Sequence, residues 1–437
     1  MTYSHLGQCS DIILSRLISL HPRVIDLNLD RVKFLMSRID QPHKHLPPTI
    51  HVAGTNGKGS VISFLYAILK AIGKKVHVYT SPHLVEFRER IQLQGDFISD
   101  EHMTCLLEEC ERANQGKQIT FFEITTCAAF LAFARTPGDI LLLETGLGGR
   151  LDATNIIEKP LLTIITEISL DHQGYLGPTI RDIAREKAGI LKDGVPCILG
   201  RQKSEAEDII LEKAEKLNVP VIREDYDWSV NILKNGFNLK DVNGEVVYPN
   251  PSLSGWHQFH NAGIAIKAIK GLENIVAPDT KIAEGLQSAV WPGRLQRLRN
   301  GPLIDMLPDG WDLWLDGAHN ESAAKALSKT IQSWSAQGDK KAKHLIIGML
   351  NSKEPDKFLR HFLGIARNVI TIDIQGEENT FSSQYLAQIA IEQGHTAKPA
   401  KDIKSAVKMI IDTSDKEACI LVCGSLHLAG HVLKDHV

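Results

Sequence analysis

A chain of 437 residues, 43% hydrophobic and 23% charged, has the composition of an ordinary globular protein and is too long for one core, so two or three domains are expected. A formal net charge of −3 gives no reason to expect nucleic acid or an anionic membrane as partner, and a small substrate is the expectation.

Seven cysteines form no C-x-x-C pair, which fits buried free thiols in a reducing compartment. No stretch approaches the roughly 18 apolar residues of a membrane span, and no cationic segment followed by an apolar run opens the chain, so a cytoplasmic location is expected.

In chain order, apolar residues at helical spacing predict helices over Asp11–Leu20 and from about Leu29 to Arg38. Between them, Val24 to Leu29 reads as an exposed link, and Gln41–Pro48 as a connector. Thr49–Ala53 is a short apolar strand that runs into a loop with Gly54, Gly57 and Gly59, then into a helix with Val61, Ile62, Phe64, Leu65, Ile68, Leu69 and Ile72 on one side. Strand, glycine loop and helix form a phosphate-binding geometry. Glycines turn amides towards an anion, the helix start adds partial positive charge, Lys58 neutralises phosphate and the Ser60 hydroxyl suits magnesium. The spacing departs from G-x-x-x-x-G-K-[ST], since only Thr55 and Asn56 separate Gly54 from Gly57 and Gly59 follows Lys58.

Lys75–Thr80 predicts a second strand, stopped by Ser81-Pro82, where open α/β sheets place ligands. Helices over Asp100–Asn114 and Glu123–Ala134 flank Thr120-Phe121-Phe122, an aromatic pair suited to core or to walling a flat heterocycle. The strand Asp139–Leu143 leads to Glu144, a carboxylate beside a phosphate loop and thus a magnesium candidate. Leu161–Ile168 predicts another strand, ending in Ser169-Leu170-Asp171-His172. The next helix carries Lys187 on its last turn. Strands at Val195–Gly200 and Val219–Arg223 follow, then hairpins over Trp228–Tyr248 with Asn235-Gly236 and Asn243-Gly244 as turns. A helix then opens with Asn261 in its first turn.

Trp291-Pro292-Gly293-Arg294 breaks the pattern and predicts a boundary between domains 1–293 and 294–437. Beyond it, strands at Trp311–Asp316, His344–Met349, Asn368–Ile374 and Ala418–Cys423 alternate with helices. The fold class expected is α/β: an N-terminal P-loop-like domain on a mostly parallel sheet, and a smaller C-terminal Rossmann-like domain.

These segments together resemble the ATP-dependent amide ligases of the Mur ligase superfamily, specifically the folylpolyglutamate synthase and dihydrofolate synthase family. The carriers are Gly54-Thr55-Asn56-Gly57-Lys58-Gly59-Ser60, Ser81-Pro82-His83-Leu84, Glu89-Arg90, Glu144 through Asn155, Leu170-Asp171-His172, Arg185 through Ile190, Pro292-Gly293-Arg294, Asp316 through Asn320 and Cys423-Gly424-Ser425. The resemblance implies that Gly57, Lys58, Gly59 and Ser60 hold ATP phosphates, with Asn261, Arg294 and Asp316 as further ATP contacts. It implies magnesium at Ser60, Ser81 and Glu144, and a second ion at His172 and at Lys187, whose side chain would be carbamylated and so an anionic oxygen ligand. Dihydropteroate would meet Asp26, Leu27, Asn28 and Leu29, then Thr120, Phe121, Phe122 and Glu123, and Leu151, Asp152 and Ala153. The sequence departs from the family pattern at Asn28, where glycine is common, and at Glu321, where proline often follows.

The chemistry expected is phosphorylation of a substrate carboxylate by ATP, then capture of the acyl phosphate by the amine of L-glutamate. Lys58, Lys187 and His319 are the candidate catalytic groups. Dihydropteroate and reduced folates are the expected acids, and a monomer the expected state. Alternatives are a folylpolyglutamate synthase of single function, another Mur-type ligase, or a P-loop protein that uses ATP for switching or transport. The last offers no joint role for Glu144, His172 and Lys187.

Overall fold

Apolar runs that end in polar residues become parallel strands with their carboxyl ends on one edge. The computed structural model describes residues 13–18 and 26–434. The first predicted helix is therefore seen only as a helical stretch at 13–18, and Val24, Ile25 and Cys9 lie outside the described residues.

The strands of the first sheet are β1 (Thr49–Ala53), β2 (Val76–Tyr79), β3 (Ile91–Leu93), β4 (Asp96–Phe97), β5 (Ile140–Glu144), β6 (Leu162–Ile165), β7 (Cys197–Leu199) and β8 (Val221–Arg223). Their order is β4-β3-β2-β5-β1-β6-β7-β8. β3 and β4 are antiparallel additions at one edge, and the other six strands run parallel. Every residue of β1 and β5 is buried, as strands covered by helices on both faces must be. The register sets Val52 beside Glu144, which brings the end of β5 to the start of the phosphate loop.

β9 (Trp228–Leu233), β10 (Gly236–Asp241) and β11 (Gly244–Tyr248) form a separate antiparallel sheet. Leu233 pairs with Gly236 and Asp241 with Gly244, so the two-residue turns are Lys234-Asn235 and Val242-Asn243. The expected turns lie one residue too late, because each glycine already belongs to the returning strand.

The third sheet has β12 (Gln296–Leu298), β13 (Asp312–Leu315), β14 (Ala342–Ile347), β15 (Asn368–Thr371), β16 (Ala397–Pro399) and β17 (Ala418–Cys423), in the order β12-β13-β17-β14-β15-β16. Its inner strands are parallel and β12 is an antiparallel edge. The edge strands β12 and β16 have no counterpart in the sequence reading, since three residues are too few to show a period.

The chain forms two compact units, Met1–Ser252 with Phe259–Ala289, and Leu253–Gln258 with Val290–Val437. In the first, the helix Lys58–Ala71 is buried on nearly every side. It lies so close to the helix Asp279–Ser288 that a Cβ on Gly285 would stand 2.5 Å from Ile68 Cα. In the second, Leu345, Ile347, Val369, Leu421 and Cys423 from the sheet pack with Leu327, Phe358, Phe362 and Leu386. Cys110, Cys127, Cys197, Cys419 and Cys423 are buried free thiols, and Cys105 is exposed. Among the described residues no helix is long and apolar enough to cross a membrane.

Candidate active site

The loop after β1 is shaped by two glycines. Gly54 has φ +152°, and a Cβ there would meet Thr166 Oγ1 at 1.8 Å. Gly57, at φ +90°, caps the helix Lys58–Ala71 without any side-chain hydrogen bond, and a Cβ would come within 2.7 Å of Asn261 Oδ1. The amides of Thr55 and Asn56 turn inward and donate to Glu167 O at 2.8 and 3.3 Å, while Thr166 Oγ1 donates to Asn56 O at 2.7 Å. The loop is thus held from β6's exit, directly before a helix start, where the backbone carries partial positive charge. β6 ends at Ile165, three residues before the expected strand end at Ile168, because Thr166 hydrogen bonds with the loop.

Lys58 Nζ donates to Gly54 O at 3.2 Å and stands 3.7 Å from Glu144 Oε1. Glu144 Oε2 accepts from the Ser81 amide at 3.2 Å, and Ser81 Oγ is buried without a hydrogen-bond partner. Lys187, the final residue of the helix Ile180–Lys187, is buried and donates from Nζ to Gly54 O at 2.8 Å. Burial first, then the charge of Lys58, lowers its pKa to about 7, against the opposing pull of Asp171, Asp152 and Glu144.

His172 has φ 51°, caps the short helix Gln173–Leu176, and has Nε2 4.0 Å from Asp171 Oδ1. Among the described residues no three His, Cys, Asp or Glu side chains converge as a metal cage. Ser60 is buried in the first turn of the loop helix. Asn261 lies in the second turn of the helix Trp256–Lys270, not the first, because the helix begins five residues before it.

The residues expected to meet the acid substrate fall into three segments. Phe121 and Phe122 do not precede a helix; they begin one, Phe121–Arg135, with Thr120 as its cap. A capping box closes it: Thr120 Oγ1 accepts from the Glu123 amide at 3.3 Å and Glu123 Oε2 from the Thr120 amide at 2.8 Å. Phe121 makes an edge contact with Phe87 at 5.7 Å, while Phe122 fills the space over Gly146, where a Cβ would be 2.3 Å from its Cζ. Between Leu151 and Ala153, Asp152 is buried and fully bonded. It accepts from the Leu147 amide at 2.7 Å and from Thr154 N and Oγ1 at 3.0 and 2.5 Å. Thr154 Oγ1 in turn accepts from His51 Nε2 at 2.9 Å. Asn28 Oδ1 accepts from the Asp30 amide at 2.6 Å, so the side chain that replaces a common glycine bonds to the first residue of the next helix, Asp30–Arg38.

In the second unit, Asp316 is buried and accepts from the Leu295 and Ala318 amides, each at 2.7 Å. Burial raises its pKa although Arg294 pulls the other way. A Cβ on Gly317 would stand 3.6 Å from Arg294 Nη1, so these two motifs adjoin. His319 Nδ1 donates to Gly317 O at 2.8 Å, and Asn320 caps the helix Glu321–Ala336. Glu321 pairs with Arg360 at 2.7 Å.

Lys58, Ser81, Glu144, Lys187 and Asn261 thus gather around one glycine loop. Sequence reasoning missed Thr166 and Glu167, which hold that loop, and Arg31, which grips Glu123. A threonine at a strand exit carries no signal until its partner loop is known.

The Mur ligase middle domain family matches residues 52–269, and the family described as dihydrofolate synthetase, C-terminal domain, matches residues 308–435. A dihydrofolate synthase/folylpolyglutamate synthase of Escherichia coli K12 is 32% identical over 429 residues, covering 96% of this chain and 94% of its own. The solved structure of Escherichia coli FolC in complex with DHPP and ADP superposes with TM-score 0.86 at 31% identity, covering 97% of each chain. A bifunctional folylpolyglutamate synthase/dihydrofolate synthase with Mn, AMPPNP and L-glutamate bound gives TM-score 0.83 at 30% identity, covering 97% of this chain and 98% of that one.

Proposed function

The chain belongs to the dihydrofolate synthase/folylpolyglutamate synthase family, and from that premise we propose that its glycine loop, two lysines and Glu144 are the phosphoryl-transfer centre. The enzyme is an ATP-dependent ligase that joins L-glutamate to the carboxylate of dihydropteroate and of reduced folates. Carboxylate is a poor electrophile, and its phosphorylation supplies a leaving group that the glutamate amine displaces.

The observation that carries the reading is the convergence of Lys58 and Lys187 on Gly54 O beside Glu144. Such a group of charges suits a transferring phosphoryl, whose need is neutralisation. Gly57, Lys58, Gly59 and Ser60 hold the phosphates; Asn261 stands at the loop, and Arg294 with Asp316 supplies the remaining nucleotide contacts.

Magnesium fits this donor set. Ser81 Oγ is a buried oxygen without a partner, next to a carboxylate, and magnesium takes few protein ligands when phosphate oxygens and water complete its shell. Ser60, Ser81 and Glu144 would hold one ion and His172 a second; bound there, magnesium neutralises phosphate charge. A pKa of about 7 leaves much of Lys187 as free amine near neutral pH, the form that adds carbon dioxide, which supports its carbamylation. His319 positions the acyl phosphate or the amine.

Asp26, Leu27, Asn28 and Leu29, the helix start at Thr120, Phe121, Phe122 and Glu123, and Leu151, Asp152 and Ala153 line the place of the pterin. The protein works in the cytoplasm as a monomer, which size measurement in solution tests. The deciding experiment is phosphate release with ATP, magnesium and L-glutamate, offered dihydropteroate or tetrahydrofolate in parallel. Release with both supports this reading, release with tetrahydrofolate alone reduces it to one function, and release with neither removes the folate assignment.

A further inference from the structure

Arg31, which none of the segments above includes, is the hub of a charge cluster with Asp26 and Glu123. Its Nε and Nη2 donate to Glu123 Oε2 and Oε1 at 2.9 and 2.8 Å, a bidentate fork on a carboxylate that is 5% exposed. The same guanidinium turns its other edge to Asp26, with Nη1 to Oδ2 at 2.7 Å and Nη2 to the backbone oxygen at 2.8 Å. One side chain thus grips both the first residue of the Asp26–Leu29 segment and the third helical residue after Thr120.

Glu123 Oε2 also accepts from the Thr120 amide, so the fork and the capping box share one oxygen. A shift of the fork therefore moves the helix start that presents Phe121 and Phe122. Among the described residues, the rest of the Asp26–Leu29 segment is held by local bonds to the helix that follows, Asp30 N to Asn28 Oδ1 and Lys33 N to Leu29 O, and by packing. Leu27 packs at the edge of the cluster around Ile165 and Ile168, and Leu29 at the edge of the one containing Phe121. Asp26 itself is more than half exposed and forms no regular structure. Lysine cannot replace this arrangement, because an ammonium is a point donor and cannot fork on one carboxylate while reaching a second carboxylate and a carbonyl.

We infer that Arg31 is a positioning residue for the acid substrate: by clamping Asp26 to Glu123 it sets the distance between the Asp26–Leu29 segment and the aromatic helix start, and hence affinity for the flat heterocycle of the substrate. This rests on the folate reading of that pocket. ATP meets other elements, so the clamp acts on one substrate and not on the nucleotide.

The test compares Arg31→Lys and the double variant Arg31→Met/Glu123→Gln with the unaltered full-length enzyme. The double variant removes both charges, so that no unpaired carboxylate is left buried, and glutamine still accepts from the Thr120 amide. In both, KM for dihydropteroate should rise roughly tenfold or more, as expected for loss of charge-assisted bonds. KM for ATP should stay within about twofold, and the double variant should recover the thermal midpoint lost in a single Arg31→Met protein. An unchanged dihydropteroate KM in the double variant, or KM values for ATP and dihydropteroate that rise together, overturns the inference alone. Unaltered enzyme that turns over neither dihydropteroate nor tetrahydrofolate overturns the folate reading and this inference with it.

Discussion

Lys187 Nζ donates to the backbone oxygen of Gly54 at 2.8 Å, and thereby ties a helix end to a loop 133 residues earlier. Lys58 Nζ reaches the same oxygen at 3.2 Å. Two amines on one carbonyl, one of them buried, are tolerated only if a proton is easily given up or an anion arrives. Phosphate would supply that anion.

The first prediction concerns that proton. Lys187 titrates at about 7 in the folded protein and near 10.5 when unfolded, so between these values the unfolded chain holds a proton that the folded one has released. Stability then rises with pH across this window and falls as pH drops towards 7. Lys187→Met has no such group. In bicarbonate-free buffer, the urea midpoint of the unaltered protein should gain on that of Lys187→Met between pH 7 and about pH 10. A constant difference would mean that Lys187 is an ordinary ammonium.

Lys58→Ala should cost on the order of 10²-fold in turnover, the usual effect of removing one preorganised charge from a transition state. Initial-rate measurement of phosphate release checks it. Since Lys58 also stands 3.7 Å from Glu144, the variant removes one of the cations beside that carboxylate. Turnover close to that of the unaltered enzyme would remove Lys58 from the centre.

Gly285→Ala tests the contact under the loop helix. The added Cβ would lie 2.5 Å from Ile68 Cα and 2.6 Å from its nitrogen, both backbone atoms that cannot rotate away. Helix Asp279–Ser288 must move or strain, and about 1–3 kcal/mol of destabilisation is expected. Urea unfolding measures it, and an unchanged midpoint would show that the two helices separate freely.

His344 in β14 is buried with neither ring nitrogen bonded, and burial, aided by the charge of Arg367, lowers its pKa to about 4. Its unfolded value is near 6.5, so below that pH the unfolded chain takes up a proton that the folded one resists, and stability is lost as pH falls from 6.5 towards 4. His344→Leu removes both the unpaired nitrogens and the titration. Its thermal midpoint should match or exceed that of the unaltered protein at pH 8, and the advantage should grow at about pH 5. An advantage independent of pH would refute the titration.

Much of the site was legible in residue order alone. Glycines that need φ above zero, a lysine and serine at a helix start, and polar residues closing apolar strands are local requirements, and local requirements leave local patterns. The strand β1, the helix Asp100–Asn114 and the strand β17 stand within the bounds that periodicity predicts. Strand ends were less legible. β6 stops at Ile165 because Thr166 bonds to Asn56 O, a partner 110 residues away.

Tertiary structure alone decided which of these pieces meet. That β5 neighbours β1, so that Glu144 faces Lys58, follows from strand order and register, which no single segment specifies. The shared carbonyl of Gly54, the buried and partnerless Ser81 Oγ and the Arg31 fork between Asp26 and Glu123 are likewise products of packing. Residue order settles the chemistry of the side chains and the local geometry that presents them. The fold decided their distances and their dielectric surroundings, because burial and neighbouring charge, not residue type, bring Lys187 to about 7.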